Sequence, residues 1–178
     1  MTDELLFEQS RRGEDAAFRS LYEKYRDPLF RFAWRMTGSV ETAEDLTHDC
    51  FVSLFRGSFD PKRGALRTFL YASIRNLSRK QWRDAGAEEL TDEADLSEAA
   101  SDGPLDLLIS FETADAVRIA VAALPGLQRE VIILFEYEDL SLDEIARITG
   151  VETGAVKSRL HRARKTLRKT LAPAKVSK

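Results

Sequence analysis

Between Ser141 and Lys169 the chain reads SLDEIARITGVETGAVKSRLHRARKTLRK, an order that constrains the fold more than any other stretch. Ser141 and Glu144 stand three apart ahead of an apolar pattern, the spacing of a capping box in which each side chain satisfies a backbone N–H near the other. Leu142, Ile145, Ala146 and Ile148 then form a helical stripe. Gly150 follows, and glycine suits the left-handed conformation that ends a helix. A second helix is predicted from about Thr153, with Val156, Leu160, Ala163, Leu167 and Leu171 on one face. Lys157, Ser158, His161, Arg162, Lys165 and Lys169 fall on or near the opposite face. The small Ala146 allows close helix approach, and Val151 and Val156 fill the angle between the helices. The second helix then presents donors and cations outward, as a helix reading a major groove must. A basic, solvated helix with no DNA partner is the competing reading. Cap, turn glycine and one-sided basic face together favour DNA.

The distribution of charge agrees with this better than its sum does. The 178 residues carry a net charge of −3, which by itself points to no polyanion. From Arg56 to Arg83, however, the cations Arg56, Lys62, Arg63, Arg67, Arg75, Arg79, Lys80 and Arg83 face Asp60 alone. From Arg147 onward, ten cations face Glu152 alone. Two basic segments in an otherwise acidic chain fit two separate contacts with one polyanion. Cys50 is the single cysteine, so no internal disulfide can form. A reducing, cytoplasmic setting is the expectation, with Cys50 a buried, inert thiol among apolar neighbours. Met1 to Glu8 contain Asp3, Glu4 and Glu8 rather than a basic start and apolar core, so no signal peptide is expected. Val131–Phe135 is the longest strong apolar run, far short of a membrane span, and no membrane insertion is expected.

Nearly every segment has helical periodicity, with Gly and Pro as punctuation and no sustained alternation. The expected fold is all-α. A first helix is predicted over Thr2–Arg12, with Leu5, Leu6 and Gln9 on one side. A longer one over Asp15–Arg35 carries Phe18, Leu21, Tyr22, Tyr25, Leu29 and Phe32, most of them core, and Pro28 is expected to kink or split it. Val40–Arg56 comes next, with Leu46, Cys50, Val52 or Ser53, and Leu54 inward. Glu41, Glu44, Asp45 and Asp49 line an acidic edge beside Phe51 and Phe55. Periodicity leaves that edge open between a solvated face and a docking surface for a basic or amphipathic helix. Gly57–Gly64 reads as a loop that unusually contains a phenylalanine, Phe59. Leu66–Arg83 resumes as helix, with Leu66, Phe69, Leu70, Ser73, Leu77 and Trp82 inward and Arg67, Tyr71, Arg75, Asn76, Arg79 and Arg83 outward. Cations interleaved with aromatics and an amide suit single-stranded DNA, whose bases stack and whose phosphates pair. The competing reading is a basic helix that only covers its own core.

Gly86–Pro104 changes character: all its charges are acidic and it has few large apolar groups, the composition of a flexible linker. Two domains are therefore expected. Leu105–Leu124 then reads as helix, with Leu108, Phe111, Val117, Ile119, Ala120 and Val121 available for burial, and Pro125 opens another that carries Val131, Ile132, Leu134 and Phe135. A search for catalytic chemistry returns little. His48 and His161 are the only histidines and fall in different domains, one cysteine cannot build a metal cluster, and no phosphate-binding glycine loop follows a strand. No enzyme activity, metal or cofactor is expected.

The order of the parts resembles bacterial RNA polymerase sigma factors of the small two-domain extracytoplasmic-function (ECF) type. The resemblance spans about Ala16 to Leu171. It rests on AVKSRLHRARKTLR after SLDEIARITGV, on AEDLTHDCFVSLF followed by FDPKRG and FLYASIRNLSRKQWR, and on LPGLQREVIILF. It implies a specificity subunit that binds core RNA polymerase and directs it to promoter DNA. Residues 1–85 would dock on the polymerase clamp helices through Asp45, Leu46, Asp49 and Phe51. They would also capture the non-template strand of the minus-ten element. Phe59, Asp60, Lys62 and Arg63 would rim a pocket for a flipped base, and Arg67, Arg75, Asn76 and Arg79 would follow the strand. Residues 86–104 would be the linker, threading the polymerase. Residues 105–178 would read the minus-thirty-five element as duplex through Thr153, Lys157, Ser158, Arg159, His161, Arg162 and Lys165, with the helix at Leu127–Tyr137 facing the polymerase flap. Family members are often held inactive by an anti-sigma factor. Three positions depart from the pattern: His48 stands where Gln is usual, Ala155 where Thr is frequent, and Glu152 where a Ser or Thr cap is common, which makes Thr153 the alternative cap. The rival readings are a free-standing helix-turn-helix transcriptional regulator, which leaves residues 40–83 unexplained, and a helical scaffold indifferent to DNA.

Overall fold

The structure, a computed structural model, describes residues 1–86 and 111–172. Beyond Gly86, the expected linker lies outside the described residues, as do the start of the helix predicted from Leu105 and the cations Lys175 and Lys178. Every regular element described is helical. The helices form two units, the first built on α1–α4 and the second on α5–α8.

In the first unit, α1 (Asp3–Arg11) begins at Thr2, whose hydroxyl accepts the Leu5 N–H at 3.3 Å, and Asp3 and Glu4 suit the positive end of the helix. Its one buried side chain is Phe7, not the predicted face: Leu5 is 45% exposed. Helix α2 (Asp15–Thr37) runs unbroken through Pro28. Of the expected kink or split, the split does not occur, because buried residues on both sides, Leu21, Tyr25, Leu29, Phe32 and Met36, hold the helix across the one missing N–H. Gly38, at φ 74°, ends it. Ser39 caps α3 (Val40–Ser53), which stops earlier than predicted and widens into a π-helical turn, Leu54–Ser58, containing Gly57 at φ 94°. A short 3-10 turn, Pro61–Arg63, leads to α4 (Leu66–Asp84).

Helix α4 shows the clearest shift of face. Leu66, Leu70, Tyr71, Ile74, Arg75 and Ser78 are buried, while Phe69, Ser73, Leu77 and Trp82, predicted inward, are half-buried. Apolar residues surround this helix, so periodicity does not fix its phase; packing on α2 and α3 does. Tyr71 meets Phe32 at 5.4 Å between ring centres, the Ser78 hydroxyl donates to Ile74 O at 2.8 Å, and the Cys50 thiol donates to Leu70 O at 3.7 Å.

The second unit comprises α5 (Phe111–Ala122), α6 (Gly126–Glu136), α7 (Leu142–Thr149) and α8 (Thr153–Leu171). Pro125 takes the cap position of α6. Val117, Ala120, Val121, Val131, Ile132, Ile133 and Leu134 meet Val156, Leu160, Ala163 and Leu167 in a core where α8 packs on α5 and α6. Ile119, expected inside, is 60% exposed. The capping box of α7 forms with both bonds, Glu144 N–H to Ser141 Oγ at 3.2 Å and Ser141 N–H to Glu144 Oε2 at 2.9 Å. Gly150 closes α7 at φ 71°. Glu152, not Thr153, occupies the cap position of α8 and gives no side-chain cap. Thr153 is the first helical residue, and its hydroxyl donates to Asp143 Oδ1 at 3.3 Å, tying the start of α8 to α7.

Candidate nucleic-acid and polymerase interfaces

On α3, the i, i+4 spacing puts Asp45 and Asp49 on one edge, where both are exposed with Glu41 and Glu44. Leu46 and Phe51 are buried, so they support this edge from beneath. Beside it lies a groove of about 490 Å³ lined by Tyr22, Arg26, Asp27, Phe30, Glu44, Thr47, His48 and Phe51. An aromatic row runs along the α2–α3 side. Tyr22 meets Phe51 and Phe18 meets Phe55, each at 5.0 Å between ring centres, and Phe18 stacks on Tyr22 at 6.0 Å. Phe18 is 42% exposed. Sequence reasoning counted Phe18 and Tyr22 with the core, because their spacing matches the α2 stripe; only the position of α3 leaves them at the surface.

The loop before α4 forms a second concavity. Ser58, Phe59, Asp60, Arg63, Gly64, Ala65, Thr68, Phe69 and Ala72 line about 250 Å³, a volume suited to one flat group rather than an extended ligand. Asp60 accepts the Lys62 N–H at 2.9 Å, which starts the 3-10 turn and leaves the Lys62 and Arg63 side chains exposed. Gly64, at φ 153°, makes the exit that other residues rarely adopt. Phe59 is not splayed into solvent. It is buried, edge-on to Phe7 at 5.2 Å and tilted against Phe69 at 5.3 Å. Along α4, Arg67 and Arg79 are half-buried, Asn76 is exposed, and Arg75 is buried with its Nη1 donating to Asn76 Oδ1 at 3.4 Å. The structure thus brings Phe59, Asp60 and Arg63 together around one pocket, with Lys62 adjacent. Among the wall residues that sequence reasoning missed are the small Ala65, just before α4, and Thr68 and Ala72, whose only signal is their phase on α4.

On α8, Lys157, Ser158 and Lys165 are exposed and Thr153, His161 and Arg162 half-buried, in one continuous face. Ser158 Oγ donates to Gly154 O at 3.1 Å. Arg159 stands apart. It is buried, and its guanidinium lies 3.7 Å from the fully buried carboxylate of Glu130 on α6. Arg164 is likewise engaged inward, 3.1 Å from Glu136 and 5.2 Å from the Phe135 ring centre.

The chemistry of reaction is thin. Among the described residues no three His, Cys, Asp or Glu side chains gather as metal ligands. The Cys50 thiol is pushed up to about 12 by burial, so it carries almost no thiolate at neutral pH. Among the described residues no helix is long and apolar enough to cross a membrane.

Two family models match the two units: Sigma-70 region 2 over residues 21–88 and Sigma-70, region 4 over residues 114–167. The chain is also 34% identical to the ECF RNA polymerase sigma factor SigW of Bacillus subtilis, over 92% of this chain and 93% of that one. The chain belongs to the ECF RNA polymerase sigma factors. As a sigma factor it binds core RNA polymerase and promoter DNA and directs transcription initiation, and it is not an enzyme. The match covers the unit that a free-standing regulator leaves unexplained, and nothing supports that alternative. Two solved structures share the fold of this sigma factor. The sigma factor RpoE in complex with the anti-sigma factor NepR from Bartonella quintana has a TM-score of 0.65 at 27% identity, covering 90% of this chain and 98% of that one. CnrH in complex with the cytosolic domain of CnrY has a TM-score of 0.71 at 25% identity, covering 96% and 97%.

Proposed function

We propose that the two units divide the work of this alternative sigma factor. Residues 1–85 dock on the clamp helices of core polymerase and capture the minus-ten element, residues 86–104 link, and residues 105–178 read the minus-thirty-five element. The observation that carries this reading lies within one unit: exposed carboxylates on α3 flank an aromatic groove, and the loop leading into a basic helix forms an aromatic-walled pocket bordered by Arg63. Asp45 and Asp49 make the polymerase contact, with Leu46 and Phe51 holding the edge in shape. Phe59, Asp60, Lys62 and Arg63 receive one extruded base, whose unstacking costs a few kcal/mol that pocket contacts offset. Arg67, Asn76 and Arg79 follow the strand, and Arg75 supports them. Thr153, Lys157, Ser158, His161, Arg162 and Lys165 meet base edges and phosphates of the duplex, and α6 faces the polymerase flap. Work on polymerase places the protein in the cytoplasm. The complex of RpoE with the anti-sigma factor NepR supports a comparable anti-sigma partner for this chain.

Binding measurements test this division. Asp45→Arg/Asp49→Arg is expected to abolish capture of core polymerase while a duplex minus-thirty-five fragment is still bound. Arg162→Ala is expected to capture core polymerase as the wild type does while binding the duplex fragment about 1–3 kcal/mol more weakly. Loss of both activities in either variant would reject the division of labour.

A further inference from the structure

Helix α1 lies ahead of the region 2 family model, which begins at residue 21. Yet its side chains reach both sides of the pocket before α4. Phe7 is fully buried and does not line the pocket. It stands behind the wall, with Phe59 edge-on against it at 5.2 Å and Phe55 at 6.2 Å. At the other side the loop ends where α4 begins. Ala65 gives α4 no side-chain cap, and the orphan N–H of Leu66 donates instead to Glu4 Oε1 at 3.0 Å. Ala65, one residue earlier, lines the pocket. Helix α1 is itself fastened to α2, because Asp3 accepts from Lys24 at 2.6 and 2.8 Å and from the Tyr25 hydroxyl.

Gly57 and Gly64 break the backbone regularity of the loop. Within the loop and α4, the contacts that support it include the short 3-10 turn, the Asp60 bond to Lys62, a Ser53–Ser58 hydroxyl pair at 3.1 Å and Phe59 against Phe69 at 5.3 Å. A pocket with an aromatic wall and no support behind it relaxes inward, and the ligand must then reopen it at the expense of affinity. From this geometry we infer that α1 is the buttress of the base-capture pocket. Phe7 and Glu4 are positioning residues that keep Phe59 and the start of α4 apart before an unstacked base arrives. The inference rests on the proposed reading of the pocket as a base receptor.

The test uses holoenzyme assembled from the full chain and core polymerase. The probe is forked DNA whose minus-ten strand the wild-type holoenzyme has selected from a randomised library. An abasic residue then replaces each base in turn. The wild type is expected to show one position with a marked preference for base over abasic site. Phe7→Leu keeps an apolar group in place, and Glu4→Ala removes only the acceptor. Both are expected to bind core polymerase as the wild type does. At that one position their preference is expected to fall roughly five- to tenfold, the scale of one aromatic pair. Other positions are expected to be unaffected, and Glu4→Gln, which retains an acceptor oxygen for Leu66, to behave as wild type. Full preference in both variants would overturn the role of α1 alone. So would an equal loss at every position together with weakened polymerase binding, which marks a general folding defect. If the wild type itself shows no such position, the pocket reading falls and the inference with it.

Discussion

At the residue scale, two buried or half-buried charges do work that their sequence positions conceal. Burial pushes the Asp3 carboxyl up, but hydrogen bonds from Lys24 and Tyr25 and the charges of Lys24 and Arg67 outweigh it, and the group titrates below its ordinary 3.8. A carboxyl with a depressed folded pKa adds stability that is fully present above its unfolded pKa and is lost as pH falls through the folded one. Asp3→Asn is therefore expected to lower the melting temperature at pH 7, and its deficit relative to wild type is expected to shrink as pH falls below about 4; calorimetry across pH 2–7 checks this. Arg159 gives the second case. A cation on a helix face beside Lys157 and Arg162 reads as a phosphate contact, but Glu130 on a different helix draws it inside. Arg159→Met removes the cation beside a buried carboxylate and is expected to cost about 3–5 kcal/mol, most of it recovered in Glu130→Leu/Arg159→Met, since an apolar pair of similar volume replaces a buried ion pair at little cost. Urea unfolding of the two variants measures this. In the stable double variant, the salt dependence of promoter binding is expected to be unchanged, whereas loss of a phosphate contact would lower the slope by about 0.9.

At the scale of elements, local signals are the ones that can be read directly. The Ser141–Glu144 box and the glycine stop at Gly150 act within four residues, and both form as the sequence predicts. Ser141→Ala is expected to cost about 1 kcal/mol in thermal unfolding followed at the second unit. What depends on distant partners is not legible. The phase of α4 is hidden because apolar residues surround it. The burial of Phe59 needs Phe7 from another helix, and the exposure of Phe18 and Tyr22 is set by where α3 stops covering α2. The failed break at Pro28 has the same origin, since tertiary burial on both sides outweighs a local penalty. The candidate sites follow this division. The cationic face of α8 and the acidic edge of α3 are patterns on single helices and were visible. The pocket wall, drawn from a turn, a loop and α4, was visible only in its loop members Phe59, Asp60 and Arg63.

For the whole molecule, a net charge of −3 conceals a polarity that matters for function. In the proposed reading, the acidic edge of α3 serves the protein partner and the basic residues of α4 and α8 serve nucleic acid. Lys157→Ala and Lys165→Ala are expected to weaken promoter binding evenly across sequences, each lowering the salt slope by about 0.9. Arg162→Ala is expected to cost about 1–3 kcal/mol and to relax preference at one base pair; titrations across salt concentrations and single-base variants separate the two kinds of loss. The central claim is that one chain recruits polymerase through its first unit and places it through both. Reconstituted transcription tests it most directly, with the purified chain, core polymerase lacking sigma and a library of promoter fragments. The account predicts RNA from discrete start sites, abolished by Asp45→Arg/Asp49→Arg through loss of polymerase and reduced, with altered promoter choice, by Arg162→Ala. Start-site-specific RNA that survives both changes would contradict it.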